Sequence, residues 1–178
     1  NLAFYLASWG MYRGSSFLLQ KDYKIHIPTI KILQEKRYES LRAISAKNLL
    51  LDSNLKLLGE ISERISSVYA VAKPSFDDKI NKVTDTLVTK ILLGTYGCVP
   101  AYDRFYKKAV KKYNISSPVF DKESIKSIAN YYCTNYSQFE KLKKEISFQN
   151  RLKIEYPDMK LMDMCMWQIG RDLDEEEK

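Results

Sequence analysis

The chain has 178 residues, 45% of them hydrophobic, which is enough for one domain with its own core and argues against wholesale disorder. Only six glycines and five prolines punctuate it, which favours long helices over many short strands. Three scattered cysteines (Cys98, Cys133, Cys165) and a single histidine, His26, argue against a disulfide framework or a Cys/His zinc site and predict buried thiols in a reducing, cytoplasmic setting. The net charge of +7 is unevenly spread: residues 101–160 carry 13 basic and 7 acidic side chains, whereas 171–178 carry 2 basic and 5 acidic. A basic stretch attracts phosphates or acidic partners; a solvated helix surface would look the same. The first residue is Asn rather than Met, which leaves open whether the native start lies upstream.

Residues 2–20 read as a first helix rich in aromatics, with Phe4, Tyr5, Trp9, Tyr12 and Phe17. Arg13, Gly10, Gly14 and three serines interrupt its apolar run, which predicts a buried helix and neither a membrane span nor a signal peptide. His26 lies in the next connection and is expected at the surface or as a cap. Pro28 opens a second helix, continuing to about Ala46. Residues 48–54 read as a connection, with Asp52 or Ser53 capping the third helix. Leu58, Ile61, Ile65, Val68 and Ala72 then recur at steps of three and four, one face of that helix, which Pro74 ends. Ser75 and Asp78 form a capping-box variant, and Phe76, Ile80, Val83, Leu87, Ile91 and Gly94 keep one face of the helix it starts. From Val88 to Leu93 that helix is apolar nearly all round and should be central, with Gly97 as its stop.

Pro100 restarts the chain. Tyr102, Phe105, Tyr106, Ala109, Val110 and Tyr113 form one face of the next helix, and Arg104, Lys107, Lys108, Lys111 and Lys112 form another. Arg104, Lys107, Lys108 and Lys111 stand at i, i+3, i+4 and i+7 and should point outward together. After a loop at 114–120, a helical pattern runs from Ile125 to Ile146, with Asn135 as the point where it would break. Pro157 opens the last helix, and residues 173–178 are expected to be an acidic, frayed tail. The fold class predicted is all-α: a single compact, bundle-like domain of about seven helices over residues 1–172.

No phosphate-binding glycine loop, dinucleotide fingerprint, zinc-protease motif or nucleophile elbow occurs, and no cofactor or metal is expected. Lys90, Asp103 and Asp163 are the candidate catalytic groups. Lys90 on an apolar helix, followed by Val99-Pro100 and then Asp103 at the start of a basic helix, resembles a stretch of the helix-hairpin-helix DNA glycosylases. The resemblance covers residues 84–106 and lacks the family's Gly-x-Gly hairpin before Lys90. It implies a catalytic lysine at Lys90, a catalytic aspartate at Asp103 and an enzyme acting on nucleic acid. On its own terms, Asp103 is an acidic residue in the first turn after Pro100, where it can cap free backbone N–H groups. Asp163 lies in an apolar, methionine-rich helix with Met159, Met162, Met164 and Met166, which fill core gaps. If buried it needs a partner, Lys160 or Arg13.

Three functions fit this pattern. The most specific is a nucleic-acid-binding module that sets Arg104, Lys107, Lys108, Lys111 and Lys112 against phosphates and uses neighbouring tyrosines on unpaired bases. The alternative is a protein-interaction or structural domain, self-associating through its aromatic and methionine-rich terminal helices. The third is an enzyme acting on nucleic acid around Lys90 and Asp103. No membrane partner is expected.

Overall fold

Residues 87–93 are all buried, Lys90 among them, so the helix that carries them is the axis of the molecule. The computed structural model describes residues 1–14, 16–72, 83–149 and 155–177. Among these there is no strand, and nine α-helices account for most of the chain: α1 (Leu2–Ser8), α2 (Ile27–Leu33), α3 (Ala46–Leu49), α4 (Asp52–Ala72), α5 (Asp85–Thr95), α6 (Arg104–Lys112), α7 (Lys122–Thr134), α8 (Tyr136–Gln149) and α9 (Asp158–Glu176). Three short 3-10 turns, Phe17–Gln20, Tyr23–His26 and Lys36–Leu41, join the early helices. None of the described helices is long and apolar enough to cross a membrane.

The fold is all-α as expected, with more and shorter helices in its first third. The helix expected over 2–20 stops at Ser8. Gly10 takes φ +71°, and the Met11 and Gly10 amides bond back to the Leu6 and Ala7 carbonyls, a glycine-ended helix terminus. The helix expected from Pro28 to Ala46 ends at Leu33, and the chain re-forms as the turn Lys36–Leu41. Tertiary contacts override the local pattern there. Both carboxylate oxygens of Glu35 take Arg64 of α4 at 2.7 Å, and Arg64 also donates to the buried Tyr38 hydroxyl at 2.9 Å. That fork holds the Glu35 carboxyl down at about 2, well below the usual carboxylate range.

The connection expected over 48–54 divides between two helices. Ser45 caps the short α3 by accepting from the Asn48 amide, and Asp52 is the first residue of α4. The start expected at Ser75 and Asp78, with Phe76 and Ile80, lies outside the described residues. α5 begins at Asp85, with Thr84 as its cap, so the helix expected to carry Val83 on its face does not: Val83 and Thr84 are described and not helical, because the extended Thr84 turns its side chain to the Leu87 amide. Asn135 does divide the following pattern, into α7 and α8. The last helix continues to Glu176, so residues 173–176 are helical where a frayed tail was expected.

The close packing of α6 on α9 organises the second half. Asp163 of α9 meets the Ala101 amide just before α6, Phe105 packs edge-on against Trp167, and Lys108 reaches Asp174 and Glu177. These contacts climb both helices in the same direction, so the two run parallel. Gly170 permits the approach: a Cβ at this position would collide with the Phe105 carbonyl.

Two substitutions test this frame. Ile91 is fully buried, and Ile91→Ala should cost about 2–5 kcal/mol in urea unfolding, as large-to-small core changes do. Gly170→Ala should be destabilising by about 1–3 kcal/mol through overpacking, although alanine is the better helix former by about 1 kcal/mol. Gly59→Ala on α4, where an added Cβ meets open space, should instead gain stability. Equal effects at the two glycines would refute the close approach.

Candidate functional site

The α5–α6 connection gathers the three acid and base candidates of the sequence. Lys90 projects from the middle of α5, Asp103 stands at the start of α6, and Asp163 comes from the second turn of α9. The Lys90 ammonium lies 3.9 Å from Asp103 Oδ2, donates to the Trp9 carbonyl at 3.2 Å and sits 5.1 Å from the centre of the Trp9 ring. Burial pushes its pKa down, while the carboxylates of Asp103 and Asp163 work against that fall. Asp103 uses its other oxygen as a cap, accepting the Phe105 and Tyr106 amides, both at 3.1 Å.

Asp163 is 1% exposed. It accepts the Ala101 amide at 2.8 Å and faces Lys160 at 3.4 Å. Of the two partners weighed from the sequence, the structure supplies Lys160. Burial raises the Asp163 carboxyl to about 6, against the pull of Lys160 and the Ala101 amide. Lys160 also places its ammonium 5.1 Å from the Trp9 ring centre, so two lysines and one indole tie α1 to α5 and α9. Tyr5 packs against Gly94, where a Cβ would collide with its ring.

This cluster is an internal tie more than an open site. Lys90 is 6% exposed, and Asp103 already caps a helix. A cavity of about 450 Å³ lies elsewhere, between α4, α5 and α7, with Leu58, Ser62, Val88, Phe120 and Ile125 in its wall. Neither Lys90, Asp103 nor Asp163 lines it. Among the described residues no group of three or more His, Cys, Asp or Glu side chains is placed to hold a metal ion.

The basic face of α6 is the second feature, and it is not uniform. Arg104 pairs with Asp174 at 3.1 Å. Lys108 donates to the Leu173 carbonyl at 3.2 Å and pairs with Asp174 at 3.5 Å and Glu177 at 2.7 Å. Glu177, and then Asp174, hold the Lys108 amine above its ordinary pKa. Lys111 and Lys112 are exposed and Lys107 is half-buried, and none of the three has an ion-pair partner among the described residues. The expectation of four side chains pointing outward together therefore needs correction: Lys108 leans toward α9. Tyr113 was expected on the buried face but is 57% exposed, because α6 ends at Lys112 and Asn114 turns the chain with φ +51°. Tyr102 and Tyr106 are fully buried, so Tyr113 is the one of these three tyrosines that an unpaired base could reach.

His26 stands at the N-cap position of α2, one of its two expected places, but its side chain makes no cap bond and its burial was not foreseen. It is 1% exposed, and its ring nitrogens meet the Tyr12 hydroxyl at 2.5 Å and the Tyr69 hydroxyl at 2.7 Å. Burial lowers its pKa, which keeps the ring neutral between the two phenols. No local signal in the sequence marked it, because its partners Tyr12 and Tyr69 are far off in the chain.

Comparison of the chain with models of protein families, with curated proteins and with solved structures finds no match.

Asp163 leaves a pH signature. Its folded pKa, about 6, exceeds the ordinary 3.8, so the folded state holds the proton more tightly than the unfolded chain. Through this group stability is greatest below the lower value and declines as pH rises through the window between the two. Asp163→Asn retains an acceptor for the Ala101 amide and should flatten that segment of a plot of urea midpoint against pH. An unchanged slope in the variant would assign the titration to another group.

Proposed function

We propose that this domain binds polyanions, nucleic acid foremost, through the face of α6 that carries Lys107, Lys111 and Lys112. One observation supports the reading above the rest. These three lysines stand on a helix whose other side is locked into the core by Tyr106, Ala109 and Val110, and no carboxylate neutralises them among the described residues. A rigid row of unpaired cations attracts phosphates, and release of the counterions around the phosphates drives association. Tyr113 stands exposed at the end of the row, where a base can stack on its ring.

A second reading, a protein-interaction domain, is favoured by a different surface. Tyr23, Ile27 and Ile30 are 66%, 44% and 38% exposed, and their spacing of four and three puts them on one side of the continuous turn and helix from Tyr23 to Leu33. An enzyme acting on nucleic acid around Lys90 and Asp103, as the glycosylase resemblance implies, is less favoured by the geometry. Lys90 is packed against Trp9, and one oxygen of Asp103 is committed to the helix cap.

Reversing Lys107, Lys111 and Lys112 to Glu together should abolish binding of a mixed-sequence oligonucleotide at about 50 mM salt, because each phosphate contact contributes about 0.7–0.9 to the salt slope. Thermal stability should stay within a few degrees of the parent, since no ion pair is broken. Fluorescence anisotropy with single- and double-stranded probes measures the first quantity and calorimetry the second. Absence of affinity for either probe at low salt, both in the parent protein and in a variant with its acidic α9 end neutralised, would remove the proposal and leave the interaction surface of Tyr23, Ile27 and Ile30 as the better reading.

A further inference from the structure

We infer that Arg104 and Lys108 form an anion subsite that the carboxylates of Asp174 and Glu177 occupy from within the same chain, and that a phosphate of the bound polyanion takes their place. This rests on the polyanion reading of α6 and extends it to the two basic residues that the fold leaves neutralised.

The geometry has the form of an occupied subsite. Arg104 and Lys108 are four residues apart on α6, one turn of helix, and both reach the carboxylate of Asp174. Glu177 closes on Lys108 at 2.7 Å, and the Leu173 carbonyl completes a set of three oxygen-bearing groups around one ammonium. Several oxygens on a guanidinium and an ammonium one turn apart is also what a phosphate diester presents to such a pair.

The outer members of these pairs are exposed: Arg104 and Glu177 side chains are 71% and 70% exposed, against 18% and 23% for Asp174 and Lys108. Exposed pairs contribute about 0–1 kcal/mol each, so Glu177 is the occupant that gives way most readily. Asp174, Glu175, Glu176 and Glu177 also crowd the C-terminal end of α9, where the helix dipole disfavours negative charge. The last turn of α9 therefore depends on the cations of α6, and a phosphate that replaces its carboxylates relieves the crowding of negative charge there. Arg104 and Lys108 stand on the same short helix and the same face as Lys107 and Lys111, so displacement joins the paired and unpaired cations into one phosphate track.

The test compares binding of a labelled mixed-sequence single-stranded DNA by fluorescence anisotropy across a salt series. The proteins are the full chain, the double variant Asp174→Asn/Glu177→Gln, and a control, Glu123→Gln/Glu145→Gln, which makes the same change in net charge on α7 and α8. The α9 variant should bind several-fold more tightly than the parent at about 50 mM salt, with a salt slope steeper by up to about 1.4 for two additional phosphate contacts. Adding Arg104→Ala and Lys108→Ala to that variant should abolish both gains. Binding by the α9 variant where the parent shows none would also support the inference. A parent that binds, with an α9 variant of the same affinity and slope or a control that tightens as much, would overturn the inference while the polyanion reading stands. No binding by any of the proteins would overturn both.

Discussion

A missing side chain sets the geometry of the second half of this molecule. At Gly170 the backbone of α9 passes so close to the Phe105 carbonyl that no Cβ fits between them. The two helices are parallel, so the contact fixes their register as well as their distance. It brings Asp163 to the Ala101 amide below the crossing and Asp174 to Arg104 and Lys108 above it. A bulkier residue would separate both pairs together. A buried hydrogen bond from a backbone amide to a carboxylate and a surface charge latch are thus linked through one steric condition, although their own energetics differ greatly.

Below the crossing, polar groups are removed from water. Burying charge costs several kcal/mol per ion unless good geometry offsets it. Lys90, Asp103 and Asp163 meet that cost by sharing. Lys90 has a carbonyl, an indole ring and a carboxylate; Asp103 has two amides and the ammonium; Asp163 has an amide and Lys160. The compensation is incomplete at Asp163, whose carboxyl is raised to about 6. A hydrophobic trio would avoid that penalty, but it could not specify which end of α6 meets which turn of α9. A cap that satisfies two free amides of α6 while facing a lysine on α5 admits only one start for the helix.

The legible parts of the fold were those whose cause is local. Asp103 caps α6 as its place after Pro100 suggested, Asn135 breaks the pattern between α7 and α8, and the all-apolar run from Val88 to Leu93 lies at the centre. What remained hidden depends on residues far apart in the chain. His26 is buried because Tyr12 and Tyr69 bracket it, at separations of 14 and 43 residues. The second helix ends at Leu33 because Glu35 answers Arg64, 29 residues on. Helix-face spacing placed Lys108 correctly on its own helix but carried no information about Asp174, 66 residues away. The early glycine is an intermediate case: Gly10 was visible as an interruption, but its positive φ, which ends α1 after seven residues, is a property of the folded backbone.

The same division governs the candidate site. Composition localised the positive charge to α6 and the negative charge to the end of the chain, as two independent facts. Separately, each is unfavourable: five cations on nine residues repel one another, and a cluster of acids at a helix C-terminus opposes the dipole. Parallel packing lays one along the other, so each relieves part of the strain in its neighbour. The relief is uneven because the acids at the end of α9 reach only two of the five cations. Arg104 and Lys108 fall within reach of Asp174 and Glu177, while Lys107, Lys111 and Lys112 keep their charge unpaired among the described residues. A helix neutralised on all sides would have no use for an external anion, and one bare on all sides would be costly to fold. The asymmetry leaves α6 stable enough to remain ordered and charged enough to attract phosphate.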